Sequence, residues 1–138
     1  RSGGDLHQLH GNASSRHFPR DFDGDRWIRV EHTLSLHRGS LIGEWLDGEP
    51  VRINSLHEQG ARTLGTNHLG LQVAARSSDG IIEVVERDAA GSLIVGVQGH
   101  PEALAAKAVA ADWGTANEDS RLAGQQWLTI FREFLARV

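Results

Sequence analysis

At 138 residues, with 39% hydrophobic and 23% charged residues, the chain has the length and composition of one ordinary folded domain, not of a disordered or membrane-embedded protein. A formal net charge of −4, with no basic run and no apolar run long enough to span a bilayer, argues against nucleic acid or a membrane as the main partner. Cysteine is absent, which excludes disulfides and thiolate metal sites and makes a reducing, cytoplasmic setting the default expectation.

Residues 1–26 are polar, contain glycine and carry no regular apolar period, so a long loop is expected there. His7, His10 and His17 match no standard ligand spacing and no carboxylate cluster accompanies them. They read as solvent-exposed histidines. From Arg26 the pattern alternates. Ile28, Val30, His32, Leu34 and Leu36 share one face, while Arg29, Glu31, Thr33 and Ser35 share the other, as in a half-buried strand near a sheet edge. His32 falls on the apolar side and reads as a satisfied structural histidine.

Arg38-Gly39-Ser40 turns the chain into a short helical turn over Leu41–Leu46, and Asp47–Pro50 turns it again. Val51–Asn54 is a short strand that runs directly into the polar stretch Ser55–Gly60. That is a typical place for a binding loop, although a plain connection has the same composition. Leu71–Arg76 and Ile81–Arg87 read as strands joined by a hairpin at Ser77–Gly80. Asp88–Gly91 then leads into a buried strand, Leu93–Gln98. Three apolar strands joined by short turns predict antiparallel pairing. Ala103–Ala111 favours a helix. A final helix, capped by Asp119 or Ser120, carries an apolar stripe of Leu122, Ala123, Trp127, Ile130, Phe131, Phe134, Leu135 and Val138.

The strand at Leu93–Gln98 delivers Gly99-His100-Pro101-Glu102. A carboxylate beside an imidazole can orient the ring and stabilise its charged form. A strand-end histidine bonded to a backbone carbonyl is the plainer alternative, and this stretch alone does not separate the two.

Three stretches carry more when read together: Asn54–Gly60 (N-S-L-H-E-Q-G), Ser77–Glu83 (S-S-D-G-I-I-E) and Gly96–Glu102 (G-V-Q-G-H-P-E). Their order and spacing resemble the C-terminal half of class I glutamine amidotransferase-like hydrolases, closest to the γ-glutamyl-γ-aminobutyrate hydrolase branch. That branch typically shows V-N-S-x-H-x-Q-G, S-x-D-G-x-x-E and G-V-Q-W-H-P-E. Gly3-Gly4-Asp5-Leu6-His7-Gln8 is similar to its G-G-x-L-x-Q segment, which follows the nucleophile helix.

The resemblance implies an α/β, flavodoxin-like three-layer sandwich. Residues 1–138 would be the C-terminal portion of that single domain, with antiparallel strands near the sheet edge. It also implies a hydrolase of γ-glutamyl amide bonds that uses a Cys-His-Glu triad and a covalent acyl-enzyme. His100 matches the general base and acid, and Glu102 its orienting carboxylate. Ser55 and Leu56 match the loop whose main chain holds the glutamyl portion, with His57 beside it. The implied partners are a small-molecule γ-glutamyl substrate and the N-terminal part of the same protein, and a homodimer is compatible with the pattern. No cofactor, metal, nucleic acid or membrane is implied.

Two departures stand out. In the family the cysteine lies upstream of the G-G-x-L-x-Q segment, and this chain begins at Arg1 with no methionine. Both facts lead to the expectation of a C-terminal fragment, inactive by itself. Without the central strands it would have an unpaired sheet edge and an open core. The second departure is Gly99, which replaces the family tryptophan and removes a large packing group beside His100. Three other readings remain. A glutaminase subunit could supply ammonia to a synthase, or a non-catalytic binding module could retain the fold. A metal-dependent hydrolase could use His57, His100 and Glu102, but no H-E-x-x-H pair supports it.

Overall fold

A computed structural model describes residues 4–18, 30–65, 69–89, 91–111 and 117–138. In chain order the elements are β1 (Asp5–Gln8), α1 (Asn12–His17), β2 (Glu31–Leu36), α2 (Leu41–Trp45), β3 (Val51–Asn54) and β4 (Gln59–Thr63). They continue with β5 (Gln72–Arg76), β6 (Ile82–Ala89), β7 (Ser92–Val97), α3 (Pro101–Ala110) and α4 (Glu118–Arg137). The result is a mixed α/β arrangement. A five-stranded sheet runs in the order β3-β2-β5-β6-β7, and β1 pairs with β4 in a separate ribbon. Every strand pair among the described residues is antiparallel.

Turn chemistry sets the hairpins. Gly80 takes φ +84°, and its N–H donates to the Ser77 carbonyl at 2.9 Å. The chain therefore reverses from β5 into β6 where a side chain would be strained. β6 and β7, rich in branched residues, then pair from Val84↔Val97 to Ala89↔Ser92.

The alternation in β2 is as expected at its described positions: Leu34 is buried, His32 and Leu36 are half-buried, and Thr33 and Ser35 are exposed. Its place in the sheet is different. β2 lies between β3 and β5, and the edges are β3 and β7. Alternation reports which face of a strand is covered, not whether its two backbone edges are paired. The same limit applies to Leu93–Gln98. It was expected to be a buried strand, but β7 is a half-buried edge strand with Ile94 38% exposed.

The N-terminal stretch also differs from expectation. Residues 5–8 and 12–17 form β1 and α1 instead of loop, and residues 19–26 lie outside the described residues. Long-range partners build these elements. β1 pairs with β4, the Leu9 N–H donates to the Glu58 carbonyl at 2.8 Å, and Leu9 is buried.

The core joins Leu34, Val51, Ile53, Ala74, Ala75 and Val84 of the sheet to Ile42, Leu104, Trp127 and Ile130 of the helices. Trp127 is fully buried, and its Nε1–H donates to the Arg52 carbonyl at 2.7 Å, fixing α4 to β3. The helix cap is Asn117, not Asp119 or Ser120. The Asn117 side chain accepts from the Ser120 N–H, while the Ser120 hydroxyl donates to Glu31 Oε1 at 2.6 Å. The stripe on α4 is narrower than expected, since Leu122, Leu135 and Val138 are exposed.

Candidate functional site

The loop after β3 is fixed from beneath by α1 and by Val30, the residue before β2. The Ser55 N–H donates to the Val30 carbonyl at 2.8 Å, and the His57 N–H donates to the His17 carbonyl at 2.9 Å. The Ser55 hydroxyl donates to that same His17 carbonyl at 2.9 Å. These bonds hold His17 in the interior, only 1% exposed. The expectation of a solvent-exposed His17 is thereby corrected. Spacing along the chain could not reveal this, because the groups that enclose the ring come from other elements.

His17 Nε2 stands 3.2 Å from both oxygens of Asp79, and the Ser77 hydroxyl donates to Asp79 Oδ1 at 2.7 Å. On its other side, His17 Nδ1 is 3.4 Å from Glu83 Oε1. His32 Nε2 approaches the same oxygen at 3.3 Å and His57 Nε2 at 3.5 Å. The His17 ring lies 4.7 Å from that of His32 and 4.6 Å from that of His57, centroid to centroid. These approaches are close enough for charge contact but lack hydrogen-bond geometry. Both Glu83 oxygens, both His32 ring nitrogens and His57 Nε2 therefore have no hydrogen-bond partner among the described residues. His32, expected to be a satisfied structural histidine, is instead half-buried with neither ring nitrogen hydrogen-bonded within that set.

Burial pushes the His17 imidazole below its ordinary value, and the opposing pull of Asp79 and Glu83 does not restore it. For Glu83, burial acts to raise the carboxyl, but the His32 and His57 rings together outweigh it and hold the group below the ordinary carboxylate range. Burial likewise raises Asp79, and the bonds from Ser77 and His17 bring it below its ordinary value.

The second arrangement begins where β7 ends. His100 occupies the N-cap position of α3, Pro101 opens the helix and Glu102 lies in its first turn. His100 Nδ1 is 2.9 Å from Glu102 Oε1, and the His100 N–H donates to Asn54 Oδ1 at 3.2 Å. That bond ties the end of β7 to the start of the Asn54–Gly60 loop. The His100 side chain is 43% exposed.

Gly99 makes the close approach possible. A Cβ there would overlap the Asn54 carbonyl oxygen and come within 2.7 Å of the Ile53 side chain. The site is thus built for the absence of a side chain, and the family tryptophan would not fit it. Gly99→Ala is expected to lower stability by about 1–3 kcal/mol, because the nearest atom is backbone and cannot rotate aside. A urea denaturation midpoint equal to that of the unmodified protein would contradict this packing.

An open cleft of about 610 Å³ is lined by Gln8, Phe18, Leu56, His57, Glu58, Gln59 and Gln98. Of the residues expected to bind substrate, Leu56 and His57 stand in its wall, whereas Ser55 is buried with its hydroxyl turned to His17. Gln98 leads from the cleft to His100 and Glu102. Sequence reasoning missed the joining of His17, His32, Asp79 and Glu83. The one available signal was the two acidic positions of the S-x-D-G-x-x-E hairpin.

All three motifs and their spacing fall inside residues 1–102, the stretch matched by the family model of peptidase C26. The chain belongs to the peptidase C26 family. Within that class I glutamine amidotransferase-like family, it is similar to a Schizosaccharomyces pombe protein that is named, by inference, a glutamine amidotransferase. The two are 37% identical over 105 residues, which cover 74% of this chain and 37% of the relative. The matched peptidase C26 segment includes the paired His100 and Glu102 at its C-terminal end.

Proposed function

We propose that this chain is the C-terminal portion of a hydrolase of γ-glutamyl amide bonds, of glutamine or γ-glutamyl-amine type. It would act through a Cys-His-Glu triad whose cysteine lies outside residues 1–138. The observation that carries the proposal is the 2.9 Å contact between His100 Nδ1 and Glu102 Oε1, at the end of a motif within the family match. With Nδ1–H donating to the carboxylate, Nε2 carries the lone pair and can take a proton. The thiol gives its proton to Nε2, and the thiolate attacks the side-chain amide carbon. The imidazolium then protonates the leaving nitrogen as the C–N bond breaks, producing a thioester and a free amine or ammonia. Water, activated by the same nitrogen, hydrolyses the thioester to glutamate and regenerates the thiol.

The cleft beside Leu56 and His57 would take the glutamyl portion, held by the main chain at Leu56, because Ser55 is buried with its N–H already bonded to the Val30 carbonyl. The N-terminal part would supply the nucleophile, the oxyanion donors and the remaining strands of a flavodoxin-like sandwich, in a cytoplasmic setting. The name of the fission yeast relative favours one second reading, a glutaminase subunit that passes ammonia to a synthase.

The test is glutamate release from glutamine and from γ-glutamyl amines by the full-length protein, before and after cysteine alkylation. Hydrolysis that alkylation abolishes is expected. Activity insensitive to alkylation, or none on any γ-glutamyl amide, would reject the proposal. Glutamine hydrolysis that rises severalfold on addition of a synthase would select the second reading.

A further inference from the structure

Three imidazoles and one carboxylate converge beneath the Asn54–Gly60 loop, and the proposed proton transfers pass through none of them. The Asp79 carboxylate facing His17 Nε2 at 3.2 Å accepts hydrogen bonds, so the ring proton belongs on Nε2. The Nδ1 lone pair then lies 3.4 Å from Glu83 and 3.4 Å from the Ser55 hydroxyl oxygen, whose proton is directed to the His17 carbonyl. In the same way, His57 Nδ1 is 2.8 Å from the Gln59 carbonyl, which leaves its Nε2 lone pair facing the same Glu83 oxygen. In their neutral forms these rings turn lone pairs toward a carboxylate oxygen and repel it. The contact becomes favourable, as the lowered Glu83 pKa requires, only with a positive charge between them, either a proton or a metal ion.

The distances indicate which charge. A shared proton draws donor and acceptor to about 2.7–2.9 Å in a charge-assisted bond, whereas Glu83 Oε1 lies 3.4, 3.3 and 3.5 Å from the His17, His32 and His57 nitrogens. Four-coordinate zinc, with bonds of about 2.0–2.1 Å at tetrahedral angles, separates its ligands by about 3.4 Å. One ligand atom from each of His17, His32 and Glu83 lies within 4.8 Å of the other two. His57 lies outside that tight trio but reaches the same oxygen. The surroundings are those of a metal site. Asp79 orients His17 and the Gln59 carbonyl orients His57, as second-layer partners of ligating imidazoles commonly do. Imidazole with a single carboxylate suits zinc over magnesium or calcium, which take all-oxygen sets.

We propose that His17, His32 and Glu83 bind a zinc ion, with the His57 ring, 3.5 Å from Glu83 Oε1 but outside the trio, drawn inward as the fourth ligand. Four protein ligands leave no open position, so the site is structural. It joins α1, β2, the Asn54–Gly60 loop and β6, and so sets the wall of the cleft at His57. This differs from a metal hydrolase built on His57, His100 and Glu102, because His100 and Glu102 take no part.

The experiment uses full-length protein without a histidine tag, stripped with chelator and given zinc, then desalted. We expect close to one zinc retained per chain and a melting temperature raised by roughly 5 °C or more. The double variant His32→Gln/His57→Gln should lose both. Cobalt substitution of the unmodified protein should give the intense visible bands of a four-coordinate ion, a readout that needs no variant to fold. Failure to retain zinc, retention undiminished in a folded double variant, or only the weak bands of six-coordinate cobalt would each overturn the assignment. Because metal retention is read without substrate, this result stands apart from whether γ-glutamyl amides are hydrolysed.

Discussion

Replacing His100 by alanine in the full-length protein is expected to lower kcat for γ-glutamyl amide hydrolysis on the order of 10²–10⁴-fold, the usual contribution of a positioned proton-transfer group. The fold should be unaffected. The side chain is 43% exposed, and the tie to Asn54 Oδ1 comes from the backbone N–H, which alanine retains. A smaller loss is expected for Glu102→Gln. The amide keeps a group in place but cannot offer Nδ1–H a charged acceptor, so the ring's orientation and its imidazolium form are less favoured. Steady-state glutamate release with a parallel melting curve makes the measurement. If His100→Ala hydrolyses at the rate of the unmodified protein, the triad assignment is wrong. If the variant also melts many degrees lower, the histidine is holding the fold rather than moving protons.

His100 and Glu102 could be singled out from the sequence because their relation is local. Two residues apart at the junction of a strand and a helix, they can meet whatever the rest of the chain does. The β5–β6–β7 hairpins were legible for the same reason: Ser77–Gly80 and Gly91 encode their turns in a few residues. β1 and α1 were not legible, because Asp5–Gln8 becomes a strand by pairing with Gln59–Thr63, more than fifty residues away. The polar stretch Ser55–Gly60 was read as one loop, yet its last two residues open β4. His17 is the clearest case. Within its own segment it has the setting of a surface histidine, and its partners Asp79 and Glu83 arrive from a hairpin sixty residues further along. Alternation placed His32 on the apolar side of β2, but period alone cannot indicate that a buried carboxylate awaits it there.

Glu83→Ala should produce the largest loss of stability, about 3–5 kcal/mol, which is the range for removing one partner of a buried charged group. The carboxylate is 1% exposed and is the only group among the described residues approached by His17, His32 and His57 together. Alanine would leave a cavity amid three rings. Glu83→Gln should cost less, since its amide can donate to an imidazole lone pair. The pH dependence, measured with chelator present so that no bound metal contributes, separates this role from simple packing. The His17 pKa is depressed on folding from its ordinary 6.5, so the unfolded chain binds a proton first. Stability is therefore full above pH 6.5 and falls as the solution is acidified below it. Asp79 and Glu83 are also depressed, from 3.8 and 4.5. Their contribution is present above those values and is lost as pH falls through the lower folded ones. The urea midpoint should accordingly decline in two stages on acidification. In Glu83→Ala the second stage should shrink, because one of its two carboxylates is gone, while the first should persist because His17 remains buried. A midpoint that rises on acidification, or a Glu83→Ala protein as stable as the unmodified one at pH 7, would mean that Glu83 does not hold the three rings together.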